Sequence, residues 1–217
     1  MYFSSRHSLG KTLAARVTEL RGQEPIVLCL KENALSAAIS LAAEVHGWVY
    51  PLLTQPVIIP GDDRIIGVLN QDGELCYNPQ LSKYELEDLE MNNHATIEDA
   101  SRVAFSELNR RVGEYGQLNK TALRGRTVII IGDIVRDQLE IGAAHELLKT
   151  IATGKIVSLV GNITPDGSTA LYRESSDSVF LDILPHMFDD DHYFEQPDGY
   201  TPEERRQLAM NISQYWV

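Results

Sequence analysis

The chain is poor in cysteine: only Cys29 and Cys76 occur, far apart and outside any paired spacing. That excludes a disulfide framework, a cysteine zinc site and a Cys-x-x-Cys redox motif, and leaves two free packing thiols. Long hydrophobic runs are missing as well. Apolar stretches such as VIII at 128–131 are far too short to span a bilayer, and the opening MYFSSRHSLGKTLAARV lacks the apolar core of a secretory signal. A cytoplasmic or similarly reducing location is therefore expected. Positive charge is scarce too: 19 Lys and Arg face 31 Asp and Glu, a formal net charge of -12. Such a field repels nucleic acid and anionic membranes and disfavours polyphosphate ligands at long range, so a protein partner with a basic or neutral surface is the easier match. The 6 histidines show no close metal-ligand spacing, and no metal or resident cofactor is expected. Walker, G-x-G-x-x-G and G-x-S-x-G motifs are all absent.

What is present is an alternation of helix and strand signals. Leu9, Leu13, Val17 and Leu20 share one helical face and Gly22 follows as a stop. PIVLCL (25–30) is a compact apolar run feeding the alanine-rich helix NALSAAISLAAEVHG (33–47), after which WVYPLL supplies a second strand. This is a βαβ unit, which requires a parallel sheet. Residues 54–80, broken by three prolines and the turns PGDD and QDGE, read as a flap of irregular hairpins. A helical stretch from Leu81 to Tyr115 is expected to break at NNHATIEDA, with Thr96 as a new N-cap. Ile97, Ala100, Ala104, Leu108 and Val112 form its apolar stripe. Strands at TVIII, KIVSLVG (155–161) and SVFLDIL (178–184), a helix at 137–152, and a last helix capped by Thr201 complete the pattern.

The order of these elements and particular residues in them resemble the type I phosphoribosyltransferases, in particular the small stand-alone bacterial group of predicted phosphoribosyltransferases. The resemblance spans nearly the whole chain. It rests on YFSSRHSLGKTLA, IVLCLKENALSAAISLA, RIIGVLNQDGEL, RRVGEYG and LRGRTVIIIGDIV. It implies one domain over 1–217, an α/β fold with a doubly wound parallel sheet of about five strands flanked by helices, and ligands bound beyond the strand carboxyl ends. A small hood or flap at 54–80 and a C-terminal acidic loop and helix at 186–217 would complete it.

The resemblance fails where the family's chemistry sits. Members that use phosphoribosyl pyrophosphate carry two acids after the central strand, followed by a threonine-glycine loop around the 5′-phosphate. Here the first acid is Gly132, only Asp133 remains, and Arg136, Asp137, Gln138, Leu139 and Glu140 stand where the loop belongs. Two like charges ~4 Å apart at an effective dielectric near 20 cost on the order of 4 kcal/mol, so carboxylates here outweigh much of the anion attraction of a helix N-terminus. The pyrophosphate loop is replaced by Lys31, Glu32, Asn33 and Ala34, which lack the expected glycines, and the flap cation falls at the uncharged Gln55 and Pro56.

Each residue also has a plain structural role available. Asp133 reads as a turn residue or helix cap, or else as a surviving ribose or metal ligand; Asp137 and Glu140 read as helix-dipole partners; Arg136 reads as a solvated arginine. DDDHYFE (189–195) reads either as a metal or partner patch or as a solvated loop with one buried aromatic. The favoured reading is a phosphoribosyltransferase-like protein that has lost substrate binding and catalysis and acts as a protein-binding, scaffolding or regulatory factor, with a homodimer also compatible. The alternative is an active transferase, or an enzyme on another nucleotide-like substrate, built around Asp133 and a rebuilt loop; only then would magnesium be needed. The discriminating observation is whether residues 132–140 leave a donor-lined space or fill it.

Overall fold

The structure is a computed structural model of the chain. It describes residues 1–175, 177–196 and 200–216, apart from the side chains at positions 62, 63, 202, 213 and 215. Residues 197–199 and 217 of the expected C-terminal loop and helix thus lie outside the described residues.

The first helix, α1 (Arg6–Ala14), starts where Ser5 and Ser8 form a reciprocal capping box. It lies against α2 (Leu35–Val45) because Gly10 has no side chain: a Cβ there would sit 2.2 Å from the carbonyl oxygen of Ala37. The stripe expected to run to Leu20 is split, since Val17 leaves helical geometry and Thr18–Leu20 form a separate 3-10 turn. Between the two helices runs β1 (Ile26–Cys29), buried at every position. After α2 the chain enters the left-handed region at His46 (φ 57°) and returns as β2 (Trp48–Pro51).

The flap is more regular than its prolines suggest. Strands β3 (Gln55–Ile59), β4 (Asp62–Leu69) and β5 (Leu75–Tyr77) form an antiparallel sheet in that order, with register shifts around Ile58 absorbing the irregularity. Over it lies α3 (Lys83–Tyr115), two helical segments that meet at a kink. The expected break within NNHATIEDA falls at Asn93 (φ -127°, ψ 17°), while Thr96, expected as the new N-cap, lies inside the second segment. Leu89 before the kink and Ile97, Ala104 and Leu108 after it share one apolar cluster with the hood residues Val57, Ile66 and Leu69.

A short α4 (Lys120–Leu123) leads into β6 (Val128–Val135), followed by α5 (Gln138–Lys149), β7 (Ile156–Ile163), α6 (Pro165–Glu174) and β8 (Asp177–Ile183). The last helix, α7 (Pro202–Met210), has the expected Thr201 cap, closed into a box by Glu204. The main sheet is parallel throughout, in the order β2-β1-β6-β7-β8. Its faces are covered separately, one by α1 and α2 and the other by α5 and α6. The doubly wound α/β architecture with a hood, of the type I phosphoribosyltransferase kind, is thus present. Because the chain leaves β1 towards β2 and β6 towards β7, the strand order reverses between β1 and β6, and a crevice opens beyond their carboxyl ends. Among the described residues, no helix is long and apolar enough to cross a membrane.

Candidate functional site

Asp133 is not a turn residue or a cap. Pairing of β6 with β7 continues past it to Ile134↔Asn162 and Val135↔Ile163, which keeps it inside the strand and fully buried. A buried carboxylate requires a partner, and Arg6, only 3% exposed itself, donates from Nε to Oδ2 at 2.7 Å. The Ile134 N–H donates to the other oxygen at 2.8 Å. The same guanidinium lies 2.8 Å from Asp191 through Nη2 and 4.3 Å from the ring centre of Phe194. Burial opposes its charge, but the carboxylates of Asp133 and Asp191 outweigh burial and hold its pKa above the ordinary guanidinium value.

Gly132 is equally committed to packing: a Cβ there would lie 2.7 Å from Cγ2 of Val135 and 3.3 Å from Cδ1 of Leu30. Beyond the strand, Asp137 is the N-cap of α5 and accepts the Leu139 N–H at 2.8 Å. Its carboxylate thus occupies a helix-terminal donor that an anion would otherwise use. Gln138 opens the helix, and Leu139 is buried beside Val68 of the hood. Arg136 is less free than a solvated arginine: it donates to the Phe188 carbonyl and to Asp190, the latter at 2.5 Å.

The two altered loops meet. Lys31 Nζ lies 3.2 Å from Glu140 Oε1, joining the segment after β1 to the first turn of α5. Burial pushes the Glu140 carboxyl up to about 7; Lys31 opposes this, and the nearby Asp137 and Asp133 carboxylates add to it. Next to Lys31, Glu32 to Ala34 form a 3-10 turn, with Asn33 exposed and Ala34 buried. Glu32 receives Arg111 at 2.6 Å and the Tyr115 hydroxyl at 3.4 Å, while Arg111 also donates to the Thr54 carbonyl at 2.8 Å and to Gln55 at 3.1 Å. Between these groups remains a cavity of about 240 Å³, lined by Lys31, Glu32, Pro56, Arg111, Asp137 and Glu140 among others.

Ion pairs formed within the chain therefore engage the cations of the crevice. Cys29, at the end of β1, offers no nucleophile, since burial first and Asp133 second push its thiol up to about 12. Among the described residues, no group of three or more His, Cys, Asp or Glu side chains is placed to hold a metal ion. Sequence reasoning missed Arg6, Arg111, Asp190 and Asp191 as parts of this network. The signal for the arginines was available, because Arg6 stands in YFSSRHSLGKTLA and Arg111 in RRVGEYG.

No protein-family model matches the chain. It is 24% identical over 191 residues to proteins named Putative phosphoribosyl transferase from two strains of Mycobacterium tuberculosis, covering 86% of this chain and 41% of those proteins. The chain thus spans well under half the length of these curated relatives. Its fold is similar to that in the crystal structure of TT1426 from Thermus thermophilus, at a TM-score of 0.76 and 22% identity over 100% of both chains. Hypoxanthine-guanine phosphoribosyl transferase of L. donovani aligns at a TM-score of 0.46 with 12% identity, over 87% of this chain and 84% of that one. The resemblance to phosphoribosyltransferases read from the sequence is thus matched by the names of the mycobacterial relatives, and the likeness to TT1426 extends to the fold.

Proposed function

We propose that this phosphoribosyltransferase-like protein does not bind phosphoribosyl pyrophosphate and works as a protein-binding, regulatory factor in a reducing compartment such as the cytoplasm. The observation that supports the reading is the Lys31–Glu140 ion pair, by which the cation that follows β1 is already engaged by a carboxylate of the chain itself. An entering phosphate would have to displace Glu140 from Lys31 and approach Asp137, and like charges at ~4 Å cost on the order of 4 kcal/mol at an effective dielectric near 20. The remaining acid of the family's pair, Asp133, is held by Arg6 and has no exposed surface with which to meet a ribose. A net charge of -12 favours basic partners by steering.

The test is thermal melting with phosphoribosyl pyrophosphate and magnesium. A ligand at about 100 times its Kd adds ~2.7 kcal/mol to the native state, a shift that a melt resolves. No shift is expected at millimolar ligand. Saturable stabilisation, or pyrophosphate release with any nucleobase, would establish the enzyme reading instead.

A further inference from the structure

Among the described residues the hood sheet ends on β5, whose ladder partners lie in β4. The main-chain bonds from Asn70 N–H to Glu74 carbonyl and from Asn78 N–H to Ile66 carbonyl fix which residues of this segment face β4. In an antiparallel ladder that orientation alternates, so Glu74, Cys76 and Asn78 turn inward, and the N–H and C=O of Leu75 and Tyr77 turn away from the sheet. An edge of this kind is a template for another strand. Here it is open on both sides. Leu75 and Tyr77 line a cleft of about 490 Å³ against α5 and α6, and also a second cleft of about 740 Å³ against α3.

We propose that β5 is a strand-addition site, and that its occupant is an extended, lysine- or arginine-bearing segment of a partner protein. Main-chain bonds to Leu75 and Tyr77 would supply affinity, and alternate side chains would enter the two clefts. Charge selects the occupant. The α5/α6 cleft carries Glu74, Glu146 and Glu174 against Arg173, with Lys149 pairing Glu146 at 2.6 Å and Glu174 at 3.7 Å, and the α3 cleft carries Glu90 and Glu98, its Arg102 being engaged with Asp99 at 2.5 Å, so both clefts keep an excess of carboxylate. Leu139 and Ala143 give the first cleft an apolar floor for the stem of a long basic side chain. A second copy of this chain would bring the same carboxylates to the same edge, which disfavours it. The proposal rests on the protein-binding reading, which the phosphoribosyl pyrophosphate melt tests on its own.

The probe is a blocked heptapeptide of alternating lysine and valine, compared with a glutamate–valine version and with a copy N-methylated on alternate residues to remove one row of donors. Binding is read by anisotropy and located by amide hydrogen exchange. The lysine peptide is expected to bind and to slow exchange at Leu75 and Tyr77. N-methylation, or Glu146→Lys together with Glu98→Lys, should weaken it by about tenfold or more. Tyr77→Pro should weaken it well beyond the loss that Tyr77→Ala causes by taking the side chain out of the clefts, because proline at an outward-facing edge position also removes a donor without touching the ladder. Equal affinity for the N-methylated peptide, protection elsewhere, no binding at millimolar peptide, or concentration-dependent protection of β5 without peptide would each overturn the proposal.

Discussion

At the scale of single residues, the crevice is governed by two ion pairs that differ in burial. In the buried pair, Arg6 and Asp133 satisfy each other, and removing one partner of such a pair typically costs about 3 kcal/mol or more because the other is left uncompensated. Asp133→Asn leaves Arg6 with Asp191, whereas Arg6→Met leaves the fully buried Asp133 carboxylate with only the Ile134 N–H. Urea unfolding should therefore show the arginine variant as the less stable of the two, and the double variant should recover part of the loss; equal, small effects would contradict this. The second pair is linked to pH. Glu140 is raised in the folded protein from 4.5 to about 7, so between those values the native state holds more proton than the unfolded chain. Stability from this group is then present at the acidic end and falls as pH rises through the window. Glu140→Gln removes the effect, so its melting temperature relative to wild type should climb between about pH 4.5 and 7 and level off above. A flat difference across that window would mean an ordinary carboxyl.

At the scale of elements, β6 is decisive because it continues as strand through Val135 and so holds Gly132 and Asp133 inside the sheet. Gly132 lies inside it against Val135 and Leu30, with no room for a Cβ. Restoring the missing acid by Gly132→Asp is thus expected to destabilise the fold by roughly 1–3 kcal/mol through overpacking and to produce no transferase turnover, since the loop contacts are missing as well. Denaturant melts and a pyrophosphate-release assay check the two halves of that expectation, and turnover from this single change would refute it. α3 makes a related point: its two segments meet at the non-helical Asn93 and both bury into the same hood core.

At the scale of the whole molecule, the hood is tied to the main sheet by polar contacts at α3's last turns. Arg111 alone reaches Glu32 beyond β1, the Thr54 carbonyl and Gln55. Lys120 and Asp72 form a second tie from α4 to the hood. Arg111→Met keeps a long stem but removes the charge-assisted bonds, so hydrogen exchange should accelerate in β3 to β5 and α3 while β6 and β7 stay protected. Uniform acceleration would mean that hood and sheet open together, and none would mean that apolar packing alone holds the hood.

Periodicity and composition were enough to place most helices and all five main-sheet strands, because apolar spacing is a local property that each segment carries in itself. They also drew attention to the stretches 31–34 and 132–140, since the scarcity of glycine and the acids there can be read without coordinates. What lies across the fold could not be read that way. Whether Asp133 belongs to a turn or a strand depends on how far β7 pairs with β6, and its partner Arg6 is 127 residues away in sequence. The pairing of Lys31 with Glu140 and the ordering of a proline-broken flap into a sheet likewise arise only when distant segments are packed together. The reason is physical: a buried charge or a kinked helix is stabilised by its neighbours in space, and only the tertiary structure decided which neighbours those are.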